Sequence, residues 1–583
     1  MSNSTLGRVQ IVASVALLLL TIPACDQSSI EAAADGVNGA RANAEPLGEQ
    51  GRRSDLSVVR GINQPPDRGR RNREPQRRGP EFRNIDGSDN NERDAELGAA
   101  NTQLARWCPT DYADGASAMA GAGRPSARDV SNAVVAQIES VPNRNGASDL
   151  LWQWGQFLDH DIDLTDAADP PETEPIAVPT GDPFFDPTST GAEVIPFNRS
   201  LYDKATGDVD PRQQMNEITH WVDASNVYGS EDERAAMLRT NDGTGKLLVS
   251  EGNLLPFNHE GLPNAGGDSV DLFLAGDVRA NEQVGLTALH TLFVREHNRL
   301  ADEIAQRNPN LSGDEIYERA RQIVAAQMQV ITYEEFLPTL LGAGALTPYN
   351  GYTPNTDARI SNLFSGAVFR LGHSMLSGTL LRLDANGNEI AEGHLPLRNA
   401  FFAPSRIIDE GGIEPLLRGL ALQTCQQIDV QVVDDVRNFL FGPPGAGGFD
   451  LPALNMQRGR DHGLPDYNTA RVAMGLEPKS SFAEVTSDSI VQERLASVYG
   501  RVDEIDVWLG GLAEDPVNGG LVGELVFTVV KLQFERLRDG DRFWYERLPD
   551  ELLRDIADTR LADIIRRNTT IGDEIPSDVF RAQ

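Results

Sequence analysis

The stretch Trp152-Gln-Trp-Gly-Gln-Phe-Leu-Asp-His-Asp161 gathers oxygen-bearing side chains around one imidazole. In a helix, Gln156 and His160 stack four residues apart on one face, with Asp159 and Asp161 to either side. A neutral histidine among hydrogen-bonding neighbours can take a proton and return it near neutral pH. Three further clusters carry complementary chemistry. In Ala275-Gly-Asp-Val-Arg279-Ala-Asn-Glu282, the three-residue spacing of Arg279 and Glu282 predicts one helical face and a fixed guanidinium able to stabilise negative charge on a bound oxygen. In Phe369-Arg370-Leu371-Gly372-His373, a glycine before the histidine leaves room for a flat cofactor to approach the backbone. The segment Leu454-Asn455-Met-Gln-Arg458-Gly-Arg460-Asp461-His462-Gly463 supplies an amide that can orient a ligand and cations that can hold carboxylates. Taken singly, each cluster also reads as a helix end, a surface ion pair or a structural histidine.

The elements that must position these groups are mostly helical. Ser312-Gly-Asp-Glu315 is a capping box, after which Ile316, Ala320, Ile323, Val324, Met328 and Ile331 recur at helical spacing. Val284 to Ile304 and Leu521 to Leu537 also read as long buried helices, whereas strand signals are short and scattered. Long loops rich in Gly, Pro and Asp join the helices, and no internal repeat is present. The expected fold is a mainly α domain over residues 81–575.

Two segments precede that domain. Residues 1–25 read as an export signal: a short polar start with Arg8, an apolar run from Ile11 to Ile22, then Pro23-Ala24-Cys25. The apolar run is short for a bilayer span. The small residue before Cys25 resembles a bacterial lipoprotein cleavage site, which makes Cys25 a candidate lipid anchor and the protein an exported, periplasmic or cell-surface one; an ordinary secretory signal is the alternative. Residues 26–80, rich in Ala, Gly, Asn, Pro and Arg with few aromatics, read as a disordered tether.

The chain of 583 residues carries a formal charge of −35, and the tether and signal contribute none of it, since 26–83 holds eleven Arg against nine acidic residues. Such an acidic surface repels phosphate backbones and argues against a nucleic-acid partner. With three cysteines, no disulfide framework supports the fold; Cys108 and Cys425 form either one bridge or two buried thiols. The sequence carries no signal of oligomeric state.

Together, the four clusters resemble the animal-type haem peroxidases of the peroxidase–cyclooxygenase superfamily, in the family's order and over about residues 80–575. The resemblance implies a large helical domain around a buried haem b. It makes His160 the distal histidine, Gln156 its neighbour and Arg279 the distal arginine. His373 becomes the proximal iron ligand and Asn455 the amide that receives its second ring proton. Arg370 and Arg458 match partners of haem propionates, while Asp159 and Glu282 match carboxylates that can form ester bonds to haem methyl groups. Thr219-His-Trp221-Val-Asp223-Ala-Ser225 matches the family's calcium loop. In an extended segment, Thr219, the Trp221 carbonyl, Asp223 and Ser225 face one way, and Asp161 adds a second carboxylate. The implied reaction reduces hydrogen peroxide, with a ferryl oxidant that draws electrons from halide, thiocyanate or small aromatic donors.

One departure concerns Gln283, which stands where a family member with a sulfonium-linked haem carries methionine; that third bond cannot form here, which puts efficient chloride oxidation in doubt. Two rivals remain. A fatty-acid dioxygenase of the same superfamily needs a tyrosine three residues before the proximal histidine, where this chain has Arg370, and no tyrosine lies between Phe364 and His373. An inactive adhesive or matrix-type module would have lost part of the site, which here is complete. The histidines at 220, 259, 290, 297, 394 and 462 match no iron ligand.

Overall fold

The computed structural model describes residues 82–582; the export signal, Cys25 and nearly all of the tether lie outside the described residues. The described chain is dominated by helices, with three two-stranded antiparallel sheets in the loops. Thr102–Gln103 pairs with Met215–Asn216, Ile176–Ala177 with Val194–Ile195, and Thr379–Leu380 with Leu395–Pro396. These pairings pin loops rather than form a layer.

Three helices make the central framework. Asp149–Ile162 buries an apolar stripe of Leu150, Leu151, Trp154, Phe157 and Leu158, with Asp149, Gln153, His160 and Asp161 buried beside it. It packs on Val284–Arg307, where Phe157 stacks on Phe293 with ring centroids 5.2 Å apart and Trp154 tilts against the same ring at 5.8 Å. Such aromatic pairs contribute about 0.5–1.5 kcal/mol each beyond the area they bury. Val284–Arg307 in turn lies along Gly313–Ile331. The latter opens with the expected capping box: Ser312 Oγ accepts from Glu315 N, and Glu315 accepts from Ser312 N at 2.8 Å.

The third long helix begins at Glu524, not Leu521, and runs to Gly540. Leu521 and Val522 are buried but belong to the preceding turn, in which Val517 N donates to Val522 O. Burial therefore extended the apparent periodicity past the true helix start. Both cysteines are free thiols, Cys108 half-buried and Cys425 buried. Among the described residues, no helix is long and apolar enough to cross a membrane.

Candidate functional site

The last two turns of Asp149–Ile162 carry Gln156, Asp159, His160 and Asp161, and their spacing sends them to different neighbours. Gln156 and Asp159 keep accessible surface, whereas His160 and Asp161 turn inward. Gln156 Nε2 donates to Glu282 Oε2 at 3.3 Å. Gln283 Nε2 donates to Gln156 Oε1 at 3.0 Å and to Gln153 Oε1 at 2.5 Å, so Gln283 anchors the glutamine one turn before His160. His160 Nε2 lies 3.8 Å from Glu282 Oε2, and its Nδ1 lies 3.4 Å from Asp277 Oδ1.

Arg279 and Glu282 do meet this group, but not from a helical face. Residues 276–282 form bends and turns, in which Glu282 N donates to Arg279 O at 2.8 Å. A three-residue spacing closes a turn as readily as it aligns two side chains on a helix, which is why the pattern misled. Arg279 is held by Asp277: Nε donates to Oδ1 at 2.9 Å and Nη2 to Oδ2 at 2.8 Å, with Nη2 also donating to the Asp163 carbonyl at 2.9 Å. That leaves Nη1, 3.9 Å from Asp159 Oδ2.

Burial sets the protonation states. It drives the His160 imidazole well below its usual range, with the Arg279 charge adding to the effect, so the ring is neutral near pH 7. Burial pushes the Glu282 carboxyl up to about 7 and, with the Asp163 charge, the Asp159 carboxyl up to about 8. Asp277 goes the other way: despite its burial, the Arg279 guanidinium holds it ionised well below the carboxylate range.

The facing wall comes from the 3-10 turn Val368–Ser374 and the helix Leu451–Asp461. His373 Nδ1 is 2.8 Å from Asn455 Nδ2, while Asn455 Oδ1 is buried without a partner. Turning that amide by 180° lets Oδ1 accept Nδ1–H, satisfies the orphaned oxygen and leaves the Nε2 lone pair free. Burial lowers the His373 imidazole to about 3, with Arg370 adding to it, so it too is neutral. Arg370 Nε donates to the Ser365 carbonyl at 2.9 Å, and Arg370 lies within electrostatic reach of Asp159 and Asp163, which joins the two walls. Arg458 Nη1 is held by the Asn198 carbonyl, Ser200 Oγ at 2.7 Å and Asp461 Oδ2 at 3.0 Å, with its guanidinium over the Phe197 ring.

The residues fit a flat cofactor on two counts. Arg370, Gly372 and His373 keep accessible surface although Phe369, Leu371 and Ser374 beside them are buried, and a Cβ at Gly372 would meet no atom within 4 Å. Among the described residues, His373 Nε2 has no hydrogen-bond partner, so an imidazole lone pair faces that accessible side.

The segment around Thr219 is not extended. Bends lead through Ala224, in the left-handed region at φ 67°, into a short helix Ser225–Tyr228. The side chains of Thr219, Asp223, Ser225 and Asp161 still meet: Thr219 Oγ1 donates to Asp223 Oδ1 at 3.0 Å, and Ser225 Oγ lies 2.7 Å from the Asp161 carbonyl oxygen and 3.1 Å from its Oδ1. Asp223 Oδ2 is buried without a partner. Burial and mutual repulsion raise Asp161 well above its usual range, and burial raises Asp223 up to about 6. Among the described residues, no cluster of three or more His, Cys, Asp or Glu is placed to hold a metal, so this loop would depend on hydroxyl and carbonyl oxygens beside its two carboxylates.

The remaining buried histidines serve packing. His220 Nδ1 accepts from Ile360 N at 2.9 Å, His297 bonds Tyr228 and the Gly245 carbonyl, and His462 sits between Ser200 and Asn362. His290 packs edge-on against Phe157 with both ring nitrogens buried and unpartnered. Asp277 and Gln283 lay inside or beside a quoted motif but received no role from sequence; nothing in their spacing signals contact with His160 or Gln156, which arises only where the turn meets the helix.

A mainly helical domain that packs the element carrying a neutral imidazole beside an amide against the helix carrying a histidine and a glutamine, with an arginine next to them, fits the haem-peroxidase class of enzyme. The family model described as animal haem peroxidase matches residues 82–580, and the chain belongs to that family. Human eosinophil peroxidase is 39% identical over 554 residues, covering 86% of this chain and 76% of that protein. Peroxidase A from Dictyostelium discoideum superposes with a TM-score of 0.80 at 34% identity, covering 86% of this chain and all of the other. Oryza sativa fatty acid alpha-dioxygenase shares the fold at a TM-score of 0.72, covering 86% and 87% of the two chains, but at only 23% identity.

Proposed function

We propose that the chain reduces hydrogen peroxide on a haem b carried by His373, with His160, Gln156 and Arg279 acting on the opposite side, and that the electrons come from bromide, iodide, thiocyanate or small phenols. The observation that carries this reading is the presence of two neutral imidazoles on neighbouring elements, a half-buried one beside Asn455 and a buried one set among Asp277, Arg279 and Glu282. Haem, when bound, supplies a redox-active iron and a porphyrin from which electrons can be drawn. His373 Nε2 is the donor that would hold it, and Arg370 and Arg458 are the cations available for its propionates. His160 Nε2 takes one proton from hydrogen peroxide and returns it to the second oxygen, so that cleavage of the O–O bond releases water. Arg279 Nη1, the guanidinium nitrogen that Asp277 leaves unused, stabilises the charge that develops on that oxygen.

Asp159 and Glu282, both partly accessible and favouring the neutral carboxyl, are the groups positioned for ester bonds to the porphyrin. The Asp161, Thr219, Trp221, Asp223 and Ser225 group fits calcium: two carboxylates raised by their surroundings and an orphaned Asp223 oxygen are what a hard cation would relieve. We further assign residues 1–25 as a lipoprotein-type export signal with an anchor at Cys25, residues 26–80 as a tether and 81–575 as the catalytic domain.

The test is reconstitution with haem followed by rapid mixing with peroxide. His160→Ala is expected to keep its Soret band and slow the reaction by roughly 100-fold to 10,000-fold, whereas His373→Ala loses the band. A His160→Ala protein as fast as the parent would end this assignment.

A further inference from the structure

Asp277 belongs to neither wall of the site, yet it touches both groups assigned to peroxide cleavage. Its side chain is 1% exposed. Oδ1 accepts from Arg279 N at 2.8 Å and Arg279 Nε at 2.9 Å, and Oδ2 accepts from Nη2 at 2.8 Å. The same Oδ1 lies 3.4 Å from His160 Nδ1, a buried nitrogen that makes no hydrogen bond among the described residues. Because an imidazole carries one proton when neutral, the position of that proton decides which nitrogen is the base. A proton on Nε2 would leave Nδ1, a bare acceptor, against an ionised carboxylate; a proton on Nδ1 gives that carboxylate its donor and frees Nε2.

The carboxylate is also fixed to the distal helix through the chain. Asp277 N donates to the Asn226 carbonyl at 3.0 Å, and Asn226 Nδ2 donates to the Phe157 carbonyl at 2.7 Å, three residues before His160. The turn that presents Asp277 is thus tied to the turn of helix that presents the imidazole.

We infer that Asp277 is a positioning residue that receives the Nδ1 proton of His160, so that Nε2 is the free base, and at the same time holds Arg279 by two of its three guanidinium nitrogens so that Nη1 faces the reaction. One carboxylate couples the orientation of the base to that of the charge stabiliser. This rests on the proposed role of His160 in peroxide cleavage. The rival is that Asp277 clamps Arg279 alone and leaves the imidazole indifferent.

The two are separated by proton NMR of the haem-loaded protein with cyanide as the bound probe, together with the rate of peroxide reaction. The parent is expected to show a slowly exchanging ring proton at His160 Nδ1. Asp277→Ala is expected to keep its Soret band, lose that slow exchange and react with peroxide on the order of 100-fold more slowly. Asp277→Asn, which retains an acceptor oxygen in nearly the same volume, is expected to recover the protected proton and part of the rate. The inference is overturned if the parent carries no proton at Nδ1, a measurement that needs no variant, or if Asp277→Ala keeps the protected proton at any rate: a slowed variant with that proton intact is the rival's result. The underlying reading fails separately, through a His160→Ala protein that is not slowed.

Discussion

At the level of single residues, the site works by withholding charge. His160 and His373 are both neutral, Glu282 and Asp159 are pushed toward their neutral forms, and the firm charges are Arg279 and Asp277. Neutral carboxyls at Asp159 and Glu282 suit esterification, so two separable outcomes are expected after turnover with peroxide. Asp159→Asn and Glu282→Gln should each remove one covalent attachment, and acid extraction with mass analysis should find fully free haem only in the double variant. Fully extractable haem in the parent would remove that role from both residues. Gln283 offers a finer test. Its side chain holds Gln156 Oε1, and one oriented hydrogen bond contributes about 0.5–1.5 kcal/mol, so Gln283→Leu should lower kcat/KM for bromide or thiocyanate a few-fold and leave haem affinity intact. What was legible at this scale were the residues with distinctive chemistry in tight motifs: the Asp-His-Asp run, the Gly-His pair, the Asn-to-Arg spacing. Asp277 was not, because a carboxylate two residues before an arginine is common and only the path of the turn brings it to His160.

At the level of elements, amphipathic period and caps were strong signals. Val284–Arg307 and Gly313–Ile331 begin at Val284 and after the Ser312 cap as the pattern suggests, because an apolar stripe repeated over many turns has no alternative burial. The signal failed where segments were short. The Arg279 turn and the Thr219 loop each run for one or two turns, too few residues for periodicity to separate helix, turn and extended chain. The loop matters because Asp161 adjoins His160 in sequence and accepts from Asp223 N and Ala224 N at 3.1 and 3.2 Å. Removing the calcium proposed for this loop should loosen the C-terminal end of the helix Asp149–Ile162. Prolonged chelation, or Asp223→Ala, is expected to reduce haem occupancy and peroxide reactivity together, with calcium restoring the chelated protein; unchanged occupancy after thorough chelation would argue against a bound cation.

At the level of the whole molecule, the same helical framework is shared with a dioxygenase of 23% identity, so architecture alone does not select the reaction. The distinction we propose lies in particular positions, above all Arg370, which stands where a dioxygenase is expected to carry tyrosine. Stability has its own buried acid. Asp149 sits in the first turn of the distal helix, accepts from Ser377 Oγ at 2.8 Å, and burial raises its carboxyl from 3.8 up to about 7. The folded state therefore holds this proton more tightly than the unfolded chain. Its stabilisation is complete below about pH 4 and fades as pH rises toward 7, by up to about 1.4 kcal/mol per unit across that window. Asp149→Asn should flatten the dependence of melting temperature on pH between about 4 and 7, and parallel profiles for the two proteins would contradict it.

The bare backbone at Gly372 also offers a practical handle. Because a Cβ there would touch nothing in the polypeptide itself, Gly372→Ala is expected to yield a folded twin in which the proposed haem is crowded out: same surface, same charge, no pigment. Such a twin would separate whatever this acidic chain does as a surface from what it does as a catalyst.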